Sequence, residues 1–187
     1  ASNFPCAECR DAKPSAVRRT YGAALYEEAV EEAIKLLKFG GRQRLAKPLG
    51  ALMAEFATAE MDVEAYDVVV PVPLHAVRER ERGFNQSRLL AHEIANCFIN
   101  AVVDESLRRI RPTRVQSRST GPKERRDNVV GAFAAEGDAV AGKRVLLVDD
   151  VVTTGVTTAE CAVALKRAGA VSVDVLAAAL VSWHHVR

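Results

Sequence analysis

The sequence predicts an α/β fold, a mostly parallel twisted sheet flanked by helices, and three observations support this class. Three apolar runs, at 66–72, 145–148 and 171–181, have the length and composition of strands buried on both faces. Stretches with helical periodicity lie before and between these runs. The composition, with 49% hydrophobic and 27% charged residues over 187 positions, is typical of a globular domain that can bury a core without disulfides.

Helical patterns fill most of the intervals between the strands. Residues 23–39 carry an apolar stripe opposite four glutamates, and residues 43–59 carry a second stripe with Pro48 inside it. Because proline fits only the first turn of a straight helix, the second helix either kinks at Pro48 or truly begins there. Two further helices are predicted at 87–98 and 158–168. The helices before residue 65 carry no obvious chemistry, and core packing explains them.

The stretch at 145–157 combines a strand, two acids and a hydroxyl-rich turn. Four apolar residues end in Asp149 and Asp150, and the turn that follows leads into a helix. Thr157 and Glu160 have the spacing of a capping box, which predicts that the helix begins there. Helix N-terminal N–H groups, hydroxyls and a glycine form a cradle for an anion such as phosphate. The two carboxylates can accept hydrogen bonds from the vicinal hydroxyls of a ribose.

Three other motifs share parts of this pattern and fail on the rest. A P-loop requires a lysine after its second glycine, and none follows Gly155. A dinucleotide-binding fingerprint requires three glycines after the strand, and one is present. A receiver domain also begins with a strand and two aspartates, but too little of a doubly wound domain follows Asp150. The remaining alternative is an ordinary strand, turn and helix whose aspartates cap the helix.

The stretch closely resembles the phosphoribosyl pyrophosphate (PRPP) signature of type I phosphoribosyltransferases, in which hydrophobic residues and two acids precede a Thr-Thr-Gly-x-Thr-like loop. The resemblance implies the type I phosphoribosyltransferase fold. It also implies that the loop binds the 5′-phosphate and that the two aspartates, as catalytic residues, hold the ribose hydroxyls. The PRPP-binding residues that it assigns here are Asp149, Asp150, Val152, Thr153, Thr154, Gly155, Val156 and Thr157.

A second resemblance is narrower and concerns the end of the strand at 66–72. Pro71-Val72-Pro73-Leu74 takes the position of the pyrophosphate loop of type I phosphoribosyltransferases, and Arg-Gly-Phe-Asn-Gln follows at 82–86. This run is similar to the ComF family of competence-associated, phosphoribosyltransferase-like proteins, and Leu-Lys-Phe-Gly-Gly at 37–41 fits that family too. The pyrophosphate-binding residues that the resemblance implies are Pro71, Val72, Pro73 and Leu74.

Residues 112–130 are predicted to form a long, polar and basic loop between short strands at 107–111 and 131–134. A structureless loop of this length is usually functional or mobile, and the alternative is a solvated basic loop. Type I phosphoribosyltransferases carry a flap here that closes over PRPP. The resemblance therefore assigns pyrophosphate contacts on this loop to Arg118, in a catalytic role, and to Lys123, Arg125 and Arg126.

The resemblance divides the chain into a partial zinc-ribbon-like segment at 1–20, a helical hood at 21–65 and a phosphoribosyltransferase core at 66–187. Cys6 and Cys9 form half of a zinc site, because structural zinc takes four ligands. A second cysteine pair upstream would complete the ribbon and bind Zn²⁺. Without such a pair we expect both cysteines to be metal-free.

Composition excludes some classes and sets the expected location. No apolar run approaches the 18 or so residues of a membrane span, and no signal-peptide pattern begins the sequence. Cys97 and Cys161 lie among apolar neighbours on predicted helices, so we expect core thiols in a reducing cytoplasm. A net charge of +2 does not by itself require a nucleic-acid partner.

These resemblances imply an enzyme that transfers phosphoribosyl from PRPP, with Mg²⁺, to an unidentified small-molecule acceptor and releases pyrophosphate. Mg²⁺ keeps several waters and uses few protein carboxylates, so no dedicated metal motif is expected. Thr153 stands where 6-oxopurine salvage enzymes would have an aspartate base, so hypoxanthine and guanine are not expected acceptors. The acceptor would be held by a hood from residues 20–65.

The alternative function is a non-catalytic module with the same fold that binds PRPP and supports DNA uptake or regulation. The fold alone cannot separate an enzyme from such a module. The arginines around the predicted flap would also suit a nucleic-acid backbone, but no aromatic residues interleave them, which weakens a single-strand hypothesis. A homo-oligomer is implied by family resemblance only.

Overall fold

The computed structural model describes residues 15–111 and 130–181 and confirms the predicted α/β class. Its main sheet has five parallel strands in the order β1-β7-β6-β2-β3. A separate two-stranded antiparallel sheet consists of β4 and β5. The strands are β1 (Arg19–Leu25), β2 (Val68–Pro71), β3 (Val102–Val103), β4 (Leu107–Arg109), β5 (Phe133–Ala135), β6 (Arg144–Val152) and β7 (Ser172–Leu180).

Within the described residues, five α-helices accompany the strands. They are α1 (Glu28–Phe39), α2 (Ala46–Glu60), α3 (Ala76–Arg82), α4 (Gln86–Ile94) and α5 (Val156–Arg167), with short 3₁₀ turns at Gln43–Leu45, Val63–Ala65 and Ala95–Cys97. Pro48 is the third residue of α2, so the alternative in which the helix begins near this proline is confirmed.

The central strand β6 divides the core into two layers. Its residues Val145, Leu146, Leu147 and Val148 are completely buried, as expected for a parallel strand covered on both faces. Leu146 and Val148 pack with α1, α2 and α4 on one face of the sheet. Val145 and Leu147 pack with α5 and the small β4–β5 sheet on the other face. The carboxyl ends of β2 and β6 therefore meet in the middle of a three-layer molecule.

The predicted helix at 23–39 is wrong over its first residues, because 19–25 form the edge strand β1. Ala23, Ala24 and Leu25 fit a helical apolar stripe, but the backbone of this segment pairs in parallel with β7. A Cβ atom on Gly22 would lie 2.2 Å from Cγ of Leu180 on β7. A residue larger than glycine would therefore clash with β7 at this position. The segment predicted as a helical hood therefore also supplies a strand to the sheet.

The predicted capping box before the last helix is also wrong. The helix α5 begins at Val156, and its N-cap is Gly155 with no side-chain cap. Glu160 does not reach back to Thr157; its carboxylate accepts a hydrogen bond of 2.9 Å from the backbone N–H of Gly131. The glutamate thus joins α5 to the chain before β5, and the start of α5 depends on the left-handed backbone of Gly155 (φ +72°).

A buried ionic network fixes the amino-terminal edge of the sheet. Asp174 on β7 is completely buried and accepts hydrogen bonds from Arg18 Nε (2.9 Å), Arg18 Nη2 (2.5 Å) and the Tyr66 hydroxyl (2.8 Å). The hydrogen bonds to Asp174 raise the pKa of Arg18, and burial together with Asp174 raises the pKa of Tyr66. The network therefore joins two segments to β7: the residues just before β1 and the residues just before β2.

Replacing Tyr66 by Phe should destabilise the protein, because the buried Asp174 carboxylate loses one of its donors. A hydrogen bond to a charged group contributes about 1.5–3 kcal/mol, so we expect a loss of that size in the free energy of unfolding. Urea denaturation measures it. Tyr26→Phe, which deletes the same atom outside this network, is the control, and equal losses in the two variants would contradict the assignment.

Candidate functional site

Asp149 and Asp150 lie in β6 near its carboxyl end and are almost completely buried, with 9% and 2% of their surfaces exposed. Asp149 Oδ1 accepts hydrogen bonds from the Ser87 hydroxyl and from the Asp150 backbone N–H, both at 2.9 Å. Asp150 Oδ1 accepts a hydrogen bond of 3.1 Å from the side-chain amide of Gln86. The start of α4 therefore supplies a neutral donor to each carboxylate.

Lys38, in the last turn of α1, forms an ion pair with Asp150 Oδ2. A second cation contacts Asp150 indirectly, through Gln86. Arg82 Nη1 donates a hydrogen bond to Gln86 Oε1, and Gln86 Nε2 donates to Asp150. The Arg82 guanidinium also lies over the ring of Phe39, 5.3 Å from its centroid. Two helices that are distant in sequence are thus joined at the carboxylate pair.

The loop between β2 and α4 determines where Gln86 and Ser87 lie. Asn85 is the N-cap of α4, and its Oδ1 accepts a hydrogen bond of 2.9 Å from the backbone N–H of Ser87. Its Nδ2 donates to the carbonyl of Val72 at 3.0 Å. Because Val72 N–H in turn bonds Val148 O at 2.9 Å, the helix start is tied to the end of β6.

The hydroxyl-rich turn lies directly after the carboxylates. Thr153 and Thr154 are exposed, and Thr158 donates from its hydroxyl to the carbonyl of Gly155 at 2.9 Å. The first N–H groups of a helix have no partner within it, so the start of α5 presents donors at this turn. A small cleft of about 50 Å³ is lined by Asp149 and by residues 151–158. This is the geometry of an anion cradle beside a carboxylate.

A second cleft, of about 110 Å³, lies beside the end of β2. Pro71, Pro73 and Leu74 line one side of it, and Arg108 and Arg109 on β4 line another. The Arg109 guanidinium lies 5.4 Å from the centroid of the Phe133 ring, and its burial lowers the arginine pKa. Arg88 lines the same cleft and is paired there with Glu79 and Glu105, so the lining holds three arginines and two carboxylates. A cleft with this excess of arginine is suited to an anion.

The electrostatics of the carboxylate pair are unbalanced. Burial and the neighbouring Asp150 charge raise the pKa of Asp149 to about 8, while Lys38 acts in the opposite direction. Two adjacent carboxylates with one lysine leave a site that is short of positive charge when both are ionised. Burial and the Asp149 carboxylate also raise the pKa of Cys161 on α5, so this thiol stays protonated in the core.

The structure brings together part of the set that the sequence indicates. Asp149 and the turn 152–157 line one cleft, Asp150 is the next residue of β6, and Pro71–Leu74 lie at and just after the end of the neighbouring parallel strand β2. The flap residues and the cysteine pair lie outside the described residues. Those predictions concern Arg118, Lys123, Arg125, Arg126, Cys6 and Cys9.

Four residues at this site were not assigned a role from the sequence: Lys38, Arg82, Gln86 and Ser87. Lys38 and Gln86 belong to runs that carry the ComF resemblance, but nothing in those runs shows that they meet one pair of aspartates. The available signal was polar residues at the start of a helix, Gln86 and Ser87, which are 4% and 1% exposed in the structure. Only the fold shows why they are buried.

Two further findings concern the described part of the chain. Within 15–111 and 130–181, no cluster of three or more His, Cys, Asp or Glu side chains is placed to bind a metal ion. No helix in these ranges has the length and apolar character needed to cross a membrane.

Comparison with known proteins gives close relatives, although no family model matches the chain. The DNA utilization protein YhgH of Escherichia coli (strain K12) is 35% identical over 177 residues, which cover 93% of this chain and 77% of that protein. Competence protein F of Haemophilus influenzae is 28% identical over 91% of this chain and 76% of its own length. Competence protein ComFC of Bacillus subtilis is 26% identical over 83% of this chain and 62% of its own length.

Among solved structures, the glutamine PRPP amidotransferase from B. subtilis, complexed with ADP and GMP, has a TM-score of 0.49 and 24% identity over 72% of this chain and 26% of that one. The sequence relationships are stronger. An identity of 35% over nine-tenths of the chain and three-quarters of the relative, supported by the two competence proteins, establishes common descent. The chain therefore belongs to the ComF family.

Proposed function

We propose that this protein binds PRPP with Mg²⁺ and transfers its phosphoribosyl group to an acceptor, releasing pyrophosphate. The observation that carries the proposal is the buried Asp149–Asp150 pair, which directly precedes an anion cradle at 153–157 and lies on the strand next to the loop at 71–74. PRPP has a phosphate, vicinal hydroxyls and a pyrophosphate in a fixed chemical order. The three parts of the site offer complementary groups for each.

In this proposal the 5′-phosphate accepts hydrogen bonds from the first N–H groups of α5 and from the threonine hydroxyls of the turn. The ribose hydroxyls donate to Asp149 and Asp150. Ser87 and Gln86 orient those carboxylates through the hydrogen bonds described above, and Lys38 forms an ion pair with Asp150. The pyrophosphate lies against Pro71–Leu74, with Arg108 and Arg109 of β4 beside it.

The residues present fit a Mg²⁺ ion that arrives with PRPP. The carboxylate pair is short of positive charge, as the raised pKa of Asp149 records, and Mg²⁺ needs few protein ligands because it keeps its waters. The pyrophosphate oxygens would hold the ion, with Asp149 and Asp150 reaching it directly or through water. Bound there, it would neutralise charge on the leaving pyrophosphate. The two carboxylates would stabilise the positive charge that develops on the ribose as pyrophosphate departs.

A second candidate function, PRPP binding without turnover, is favoured by the names of the relatives. One is called a DNA utilization protein and two are called competence proteins. A role in the uptake or use of DNA is therefore proposed for this chain as well, with PRPP as a ligand that regulates it.

Titration with PRPP in the presence of Mg²⁺ should release heat in a calorimeter, and Asp149→Asn with Asp150→Asn should remove that binding. Each hydrogen bond to a charged group is worth about 1.5–3 kcal/mol, so losing two should weaken binding about a hundredfold or more. Asp138→Asn, which changes an exposed aspartate away from the site, is the matched control. Unchanged affinity in the double variant would contradict the ribose-binding role.

The stability of the free protein should depend on pH through Asp149. A carboxyl whose folded-state pKa is raised from 3.8 to about 8 stabilises the fold fully below pH 3.8, and that contribution is lost as the pH rises towards 8. The variant Asp149→Asn lacks this loss. Thermal unfolding at pH 5 and pH 8 should therefore show a Tm difference, variant minus wild type, that is more positive at pH 8. A difference independent of pH would show that Asp149 titrates normally.

Pyrophosphate release separates the enzyme from the binding module. The protein with PRPP and Mg²⁺ is incubated with heterocyclic bases, amines and ammonia, and pyrophosphate is measured with a coupled assay. An enzyme releases pyrophosphate with one acceptor class well above the rate without acceptor, and Asp149→Asn removes the difference. PRPP binding with no release from any acceptor would leave the non-catalytic role as the explanation.

A further inference from the structure

A third cleft, of about 510 Å³, lies between the end of α1 and the helix α3. Its lining consists of Lys38, Phe39, Gly41, Arg78, Glu81, Arg82 and Phe84. The volume is in the range of small-molecule sites, and it is much larger than either cleft described above. We call it the α1–α3 cleft.

The α1–α3 cleft is connected to the carboxylate pair, on the side of Asp150, through two of its lining residues. Its residue Lys38 forms the ion pair with Asp150, and its residue Arg82 bonds Gln86, which donates to the same aspartate. The small cleft at the hydroxyl-rich turn instead includes Asp149 and shares no residue with the α1–α3 cleft. A ribose held by both aspartates would therefore have the phosphate cradle on one side and the α1–α3 cleft on the other.

Two aromatic rings give the α1–α3 cleft apolar surface. Phe84 is 8% exposed, whereas Phe39 is 78% exposed even though it is one of the largest side chains of α1. The guanidinium of Arg82 lies over the Phe39 ring, which holds the exposed ring in place. A planar ligand can stack on such a ring or on the guanidinium plane.

The charges of the α1–α3 cleft are mainly positive. Lys38 is matched by Asp150, but in the described ranges no carboxylate lies within ion-pairing distance of Arg78 or Arg82. Glu81 is the one acidic residue in the lining. Two arginines beside an aromatic ring are suited to a carboxylate or similar anion, which guanidinium groups bind through paired hydrogen bonds.

We propose that the α1–α3 cleft is the acceptor subsite and that it takes a planar ring carrying an anionic group. The ring stacks on Phe39, and the anion lies between Arg78 and Arg82. The acceptor's nucleophilic atom gives an electron pair to C1 of the ribose, the bond from C1 to pyrophosphate breaks with its pair leaving on the pyrophosphate, and the acceptor's proton passes to water. This proposal rests on the proposed phosphoribosyl transfer.

The proposed subsite is formed by two segments of the chain, whereas the sequence predicted an acceptor-binding hood from residues 20–65 alone. Lys38 and Phe39 come from the segment 20–65 in which the hood was predicted. The opposite wall comes from α3, in the chain that follows the pyrophosphate loop. An acceptor site divided between two segments in this way leaves no continuous base-binding pattern in the sequence.

Three probes of similar size test the chemistry: benzoate, benzamide and cyclohexanecarboxylate, titrated by NMR into the full chain with PRPP and Mg²⁺. Benzoate should bind at least fivefold more tightly than benzamide, which lacks the charge, and than cyclohexanecarboxylate, which lacks the planar ring. Phe39→Leu and Arg78→Gln should each weaken benzoate binding at least fivefold. Arg80→Gln, which removes the same charge from α3 outside the cleft lining, should leave it within twofold.

The affinity for PRPP with Mg²⁺, measured separately by calorimetry, distinguishes failure of the subsite from failure of the function. Phe39→Leu and Arg78→Gln should keep that affinity within twofold of wild type. If PRPP binds and benzoate shows no preference over the other two probes, or ignores both substitutions, the acceptor subsite is wrong and the PRPP site stands. If PRPP does not bind at all, the proposed function fails and the acceptor role fails with it.

Discussion

The arrangement of this molecule depends on two adjacent carboxylates that are buried at the carboxyl end of its central strand. Ionised carboxylates are costly to bury unless partners compensate them. Here the partners come from separate elements: Lys38 from α1, and Gln86 and Ser87 from the start of α4. Both helices must therefore lie where these side chains can reach the two aspartates of β6. The loop before α4, in which Asn85 donates to the carbonyl of Val72, is positioned by the same contacts.

Asp174, another buried aspartate of the same sheet, has more complete partners than the Asp149–Asp150 pair. Asp174, at the opposite edge, is paired with an arginine through two hydrogen bonds and also accepts from a tyrosine hydroxyl. Its single negative charge is matched by one cation. The pair Asp149 and Asp150 shares one lysine and otherwise receives neutral donors, while burial and the neighbouring Asp150 charge raise the pKa of Asp149. The proposed function uses that imbalance: under it, the hydroxyls of the ligand and a Mg²⁺ ion would complete the partners of the pair.

Much of the fold and the centre of the site were predictable because their signals are local. Apolar runs identified β2, β6 and β7, and the two acids near the end of β6, followed by threonines and a glycine, marked the turn of the candidate site. The strand β1 was missed because Ala23, Ala24 and Leu25 suit either a helix or a strand, and their pairing with β7 decides between the two. The capping box was misassigned because Glu160 has a better partner in Gly131, which is far from it in sequence.

The groups that complete the site were not predictable for a related reason. Gln86 and Ser87 reach their aspartates across 64 and 62 positions, and Lys38 is farther still from Asp150 in the sequence. Periodicity and motif spacing carry no information over such separations, so a lysine near the end of a helix is indistinguishable from a solvated one. These residues are needed because a buried carboxylate pair requires hydrogen-bond donors. The topology of the fold decides which elements can supply those donors. The position of the α1–α3 cleft has the same cause. Lys38 and Arg82 line this cleft, and they are also the residues that contact Asp150 directly and through Gln86.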